Sequence, residues 1–214
     1  MRARTDLATR IHRLHEGQEG VTLVEMVIAT AILSIVLLIF TSTLIALQRT
    51  TVRSAAFTQD NNQARLAIEE LDREIRSGNL LYDPANETTP YYSLRVYTQA
   101  NAPTRTPSPG YFCDQWRISS TNLQTRSWPP DESEDVTAWR TVATGIQNQV
   151  VSPNVQAFTL DPDVTKGGRV LNITLLVNTN YAQFPADTVR IQAAITGRDT
   201  SYGFPSNVCT PIPA

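Results

Sequence analysis

The chain has 214 residues with 20 acidic and 18 basic side chains, and its formal charge of -2 offers no clustered positive face for a nucleic-acid backbone. The length suits one domain of ordinary size plus a long accessory element, not two separate globular domains. Both histidines, His12 and His15, precede residue 20, so Ser-His-Asp and Cys-His catalysis and the commonest zinc sites are excluded from everything beyond.

Residues 1–20 are polar and slightly basic, with Arg2, Arg4, Arg10 and Arg13 set against Asp6, Glu16 and Glu19. From Met26 to Leu47 there follow 22 residues without a charge. As a helix this run extends roughly 33 Å, enough to cross the hydrocarbon core of a bilayer. It is too long for the apolar core of a secretory signal, and it exits into Gln48 and Arg49 instead of a small-residue cleavage site. The arginines of the leader favour its retention in the cytoplasm only weakly, because Arg49 and Arg53 flank the other end.

No glycine or proline interrupts residues 21–77, and the pattern stays helical beyond the apolar run. Phe57, Ala64, Ile68, Leu71 and Ile75 fall on one stripe, while Glu69, Glu70, Asp72, Arg73, Glu74 and Arg76 take the other faces. The spacing predicts one helix over 21–77, apolar all round in its first half and amphipathic in its second. Gly78 reads as its stop signal, a residue free to adopt the left-handed conformation.

After Gly78 the period changes to two. Phe112, Asp114, Trp116 and Ile118 alternate against Cys113, Gln115 and Arg117; Leu171, Ile173, Leu175 and Val177 alternate against Asn172 and Thr174; Val189, Ile191, Ala193 and Ile195 alternate against Arg190 and Gln192. Residues 78–214 are therefore expected to form a mostly antiparallel β-sheet domain covered by the amphipathic stripe, an α+β fold. Turn formers cluster at 83–90, 100–110, 128–135 and 161–168. Cys113 and Cys209 lie on the same side of the apolar run, and one disulfide is the simple expectation, with two free thiols in a reducing compartment as the alternative. The acidic group Asp131, Glu132, Glu134 and Asp135 could hold a hard cation, although Pro129 and Pro130 favour a solvated loop. Trp116, Trp128 and Trp139 suit core and rim packing better than a ligand platform.

One residue breaks the apolar pattern. Glu25 stands five residues beyond Gly20, where burying its ionised side chain in hydrocarbon costs about 2.5–3.5 kcal/mol. A glycine, the four residues Val21-Thr22-Leu23-Val24, a glutamate and a long apolar helix together resemble the N-terminus of type IV prepilins and type II secretion pseudoprepilins. The stretch ELDREIRSGNLLYDP, the later strands and the TGRDT segment before the cysteine-containing tail resemble minor pilins and J-class pseudopilins. Val21 departs from the phenylalanine usual in that family, and the leader is longer than in many major pilins.

The resemblance implies a lollipop of one long helix and one sheet domain, and it implies a structural subunit with neither active site nor cofactor. Residues 1–20 would be a cytoplasmic leader, residues 21–77 the helix with a membrane or filament-core segment at 26–47, and residues 78–214 the exported domain. A prepilin peptidase would cut between Gly20 and Val21 and methylate the new amine of Val21, and Glu25 would meet such an amine during assembly. The implied partners are that peptidase, other pilins or pseudopilins, an inner-membrane platform protein, an assembly ATPase and the membrane itself. A rival expectation is a single-pass anchor whose exported domain binds a ligand or partner, with Gly20 and Glu25 coincidental.

Overall fold

A computed structural model describes residues 20–100, 110–130, 135–162, 169–197 and 206–213. It divides into two compact units, Met1–Val52 and Arg53–Ala214. Helix α1, Leu23–Ser77, contributes to both.

In the first unit, α1 is uncovered. Every residue from Gly20 to Val52 is exposed, including Leu23, Ile28, Leu33, Leu38 and Phe40. Composition and length suffice to cross a membrane, and none of the apolar stretch is buried within the chain. The hydroxyls along it are satisfied by the helix itself: Thr30 donates to Val27 O (3.0 Å), Ser34 to Thr30 O (2.7 Å), Thr41 to Leu37 O (2.8 Å) and Thr43 to Ile39 O (2.8 Å). Such back-bonding lets serine and threonine reside where no water is present to accept their protons.

In the second unit, α1 from Arg53 onward packs on two antiparallel sheets. Strands β1 (Gly78–Leu81), β2 (Ser93–Thr98), β3 (Phe112–Ser119), β4 (Asn122–Trp128) and β5 (Arg140–Thr144) form the first in sequential order. Strands β6 (Phe158–Leu160), β7 (Val170–Val177) and β8 (Val189–Thr196) form the second. The two meet at an isolated bridge, Ile146 to Val177, and at the bond from Gln147 N to Leu176 O (2.7 Å). Asn148, wholly buried, ties this seam: its side chain donates to Val155 O and Thr174 O and accepts from Leu176 N.

Ala64, Ala67, Leu71 and Ile75 of α1 share one core with Leu94 and Val96 of β2, Trp116 and Ile118 of β3, and Leu171, Ile173 and Leu175 of β7. The helix therefore covers both sheets, as an amphipathic stripe should. A second cluster on the opposite face of the first sheet joins Tyr97, Cys113, Trp128 and Cys209. Strands β2 and β3 of the first sheet are thus buried on both faces, while the edge strand β5 stays largely exposed. That overturns the half-buried expectation for β3: Cys113, Asp114 and Gln115 are all buried.

Two further expectations are corrected. Glu74, assigned to an outward face, is only 2% exposed and accepts a bond from Trp116 Nε1 at 2.5 Å. Gly78 is not a left-handed cap, since the described glycines with positive φ are Gly110 and Gly145. It begins β1, and its missing side chain serves close approach: a Cβ there would lie 2.7 Å from Val96 Cγ1 and 3.1 Å from Glu74 O. Gly78→Ala is accordingly expected to lower stability by about 1–3 kcal/mol through overpacking. Equal urea midpoints for variant and wild type would show that β1 slides without penalty.

Candidate functional site

The start of α1 gathers Gly20, Val21 and Glu25 within six residues. Thr22 fixes where the helix begins. Its Oγ1 accepts from Glu25 N at 3.2 Å and its carbonyl accepts from Met26 N at 3.1 Å, the geometry of an N-cap. Glu25 therefore occupies the third helical position, where a carboxylate faces the positive end of the helix dipole. Thr22-Leu23-Val24-Glu25 has the spacing of a capping box, a signal readable in the chain but overlooked when Thr22 is treated as one of four apolar or small spacers. Glu25 thus has a local use, and its carboxylate has no hydrogen-bonding or ionic partner among the described residues.

Gly20 has no such local use. It is exposed, and a Cβ built on it meets nothing within 4 Å. Within this chain, alanine or a larger residue would fit at position 20 among the described residues. No requirement for glycine there comes from the described residues, which leaves one imposed from outside them. A protease cleft that binds an extended, bare backbone is such a requirement.

Residues 17–41 match the family model of the prokaryotic N-terminal methylation motif. The N-terminus is that of a type IV prepilin- or pseudopilin-type protein. The motif marks a substrate of prepilin peptidase, a structural class and not an enzymatic one. It spans Gly20, Val21, Glu25 and most of the apolar run. Neither a curated protein nor a solved structure matches the chain.

The other features singled out in this prepilin-type chain lie in the second unit. Cys113 and Cys209 are joined by a disulfide with Cα atoms 5.6 Å apart, which attaches the C-terminal tail to β3. Residues 131–134 of the acidic group lie outside the described residues, and Asp135 is exposed. Trp116 and Trp128 are core residues, whereas Trp139 stacks beneath two guanidiniums, Arg117 at 3.7 Å and Arg126 at 4.3 Å.

Charge patterning alone did not reveal three buried polar positions. Glu74 meets Trp116; Glu87 pairs with Arg95; Asp60 accepts from Thr179 N at 3.0 Å. Glu74 and Asp60 find partners 42 and 119 positions away and Glu87 finds Arg95 eight positions on, and in each case the fold brings the pair together. Burial drives the Glu87 carboxyl above its ordinary range, and the adjacent Arg95 opposes that rise.

Proposed function

We propose that this chain is a minor pilin or J-class pseudopilin, a structural subunit of a type IV pilus or type II secretion filament. Prepilin peptidase cuts between Gly20 and Val21 on the cytoplasmic side and methylates the new amine of Val21. The supporting observation is the junction itself: a glycine that nothing among the described residues demands, next to a capped helix whose apolar surface none of the described residues covers.

In the membrane the helix is a single-pass anchor, with residues 1–20 in the cytoplasm and the sheet domain outside. A platform protein and an assembly ATPase then move the subunit into the filament, where the uncovered run packs against the helices of other subunits. There Glu25 meets the Val21 amine of a neighbour. Two opposite charges that are each costly in a low dielectric attract strongly when brought together. A subunit in the wrong register leaves both unpaired, so the pair selects the register.

Mass spectrometry of the chain from its native membrane is expected to show N-methyl-Val21 as the first residue. An intact Met1 in peptidase-competent cells overturns the proposal and leaves a plain anchor. Glu25→Val is expected to be cut normally but to enter filaments at least about tenfold less, the factor that a loss of 1.4 kcal/mol produces. Normal incorporation of that variant would remove the register role of Glu25.

A further inference from the structure

The sequence holds two Asn-x-Thr triplets, Asn86-Glu87-Thr88 and Asn172-Ile173-Thr174. This is the acceptor pattern for N-linked oligosaccharides: the asparagine amide takes the sugar, and the transferase reads the hydroxyl two residues on. The fold separates the two triplets. Asn172 lies in β7, the middle strand of the second sheet, paired with Thr159 of β6 on one side and Ala194 of β8 on the other, and it is half-buried. A transferase could seat that backbone only by breaking both ladders.

Asn86 stands differently. It ends a short 3-10 helix, Pro84–Asn86, and residues 87–90 belong to neither helix nor strand. Asn86 and Thr88 are both exposed, whereas Glu87 between them turns inward, its side chain 0% exposed and held by Arg95 Nε at 2.8 and 3.0 Å. That inward anchor leaves on the surface the two side chains that a transferase reads. The Asn86 amide donates to Asp83 Oδ2 at 3.4 Å, longer than an ordinary hydrogen bond, and the Thr88 hydroxyl has no partner among the described residues. Neither group has to be pulled out of the fold to react.

We infer that Asn86 is an N-glycosylation site. The donor is a polyprenyl-diphosphate-linked oligosaccharide, presented outside the cytoplasm, so the inference rests on the proposed export of residues 78–214. Asn86 Nδ2 forms a bond to the anomeric carbon of the first sugar. The bond from that carbon to the diphosphate oxygen breaks, its electron pair leaves on the diphosphate, and one amide proton passes to a base of the transferase. Nothing is oxidised or reduced.

The test is peptide mass spectrometry of the chain from its native membrane, reading position 86, position 172 and the N-terminus in one sample. A sugar on Asn86 with Asn172 bare is the expected result. Asn86→Gln and Thr88→Val should each abolish the modification, while Thr88→Ser, which keeps the hydroxyl, should retain it. Both positions are exposed, so these variants leave the core intact. Bare Asn86 overturns the inference, and N-methyl-Val21 in the same sample shows that the subunit assignment survives that failure. A sugar on Asn86 in a chain that keeps Met1 supports the inference and overturns the processing instead. A sugar on Asn172, or one that persists on Asn86 in Thr88→Val, also overturns the inference, because neither exposure nor the hydroxyl would then decide the site.

Discussion

Replacing Arg95 by methionine is expected to cost about 3–5 kcal/mol of folding stability at neutral pH, because it strands the buried carboxylate of Glu87. The Glu87 side chain is 0% exposed and that of Arg95 8%, and Arg95 Nε approaches the two carboxylate oxygens at 2.8 and 3.0 Å. The same guanidinium donates to Cys209 O at 2.9 Å and lies over the Tyr82 ring at 4.3 Å. Tyr82 in turn accepts from Cys209 N through its hydroxyl at 3.1 Å. One arginine therefore holds both an internal acid and the C-terminal tail.

The pH dependence of that loss has a definite sign. Burial raises the Glu87 pKa, Arg95 lowers it, and the nearby Asp83 raises it. Without Arg95 only the raising influences remain. A carboxyl whose folded pKa exceeds its unfolded value binds protons more readily when folded; its contribution to stability is present below the unfolded pKa and lost as pH rises through the folded one. The deficit of Arg95→Met relative to wild type should therefore shrink on acidification from pH 7 to about pH 4, the ordinary carboxylate range. Urea unfolding followed by tryptophan fluorescence at both pH values measures it. An equal deficit at each would mean that Glu87 is not the stranded group. Replacing both residues by apolar ones should recover much of the loss, since the expense lies in the unpaired charge.

Removing the disulfide is the second large effect. Cys113 and Cys209 are separated by 96 positions, and closing a loop of that size stabilises by about 4–5 kcal/mol on the chain-entropy account. The double variant Cys113→Ser/Cys209→Ser should show that loss in urea unfolding. Arg95 and Tyr82 grip the backbone of Cys209 independently of its sulfur, so the tail should stay docked and resist proteolysis until Arg95 is replaced as well. Combining the two changes should then depart from additivity, as expected for groups that share a partner. A reduced protein with an unchanged midpoint would show that the polar contacts alone suffice.

The helix and strands β3, β7 and β8 were legible because each carries one clear period: unbroken 3.6-residue spacing without glycine or proline, or alternation over seven or more residues. Strands β2 and β4 were not. SLRVYT and NLQTRSW mix polar and apolar residues on faces that are both covered, so polarity there does not indicate solvent. Arg126 Nε donates to Gln115 Oε1 at 3.0 Å, and Arg95 finds Glu87, so these polar residues are satisfied inside. Those partners lie on neighbouring elements, 11 and 8 positions away, spacings that match no helix or strand period. Strand β1 follows the helix without a break, and β6 spans three residues, too short for any period to register. At the candidate site, glycine and glutamate announced themselves by standing against an apolar background. Thr22 did not, because a threonine among valines and leucines passes as a spacer until its bond to Glu25 N is seen.

The back-bonded hydroxyls of the apolar helix bear on how such a segment changes surroundings. Thr30, Ser34, Thr41, Ser42 and Thr43 all donate to carbonyls of their own helix. In the proposed passage from lipid into a filament, none of these bonds has to break and none needs a new acceptor. The helix is portable: its partition between the two media reduces to an exchange of one apolar neighbour for another, nearly free of a polar barrier. Any preference for a particular neighbour must then come from shape and from the single carboxylate near its start.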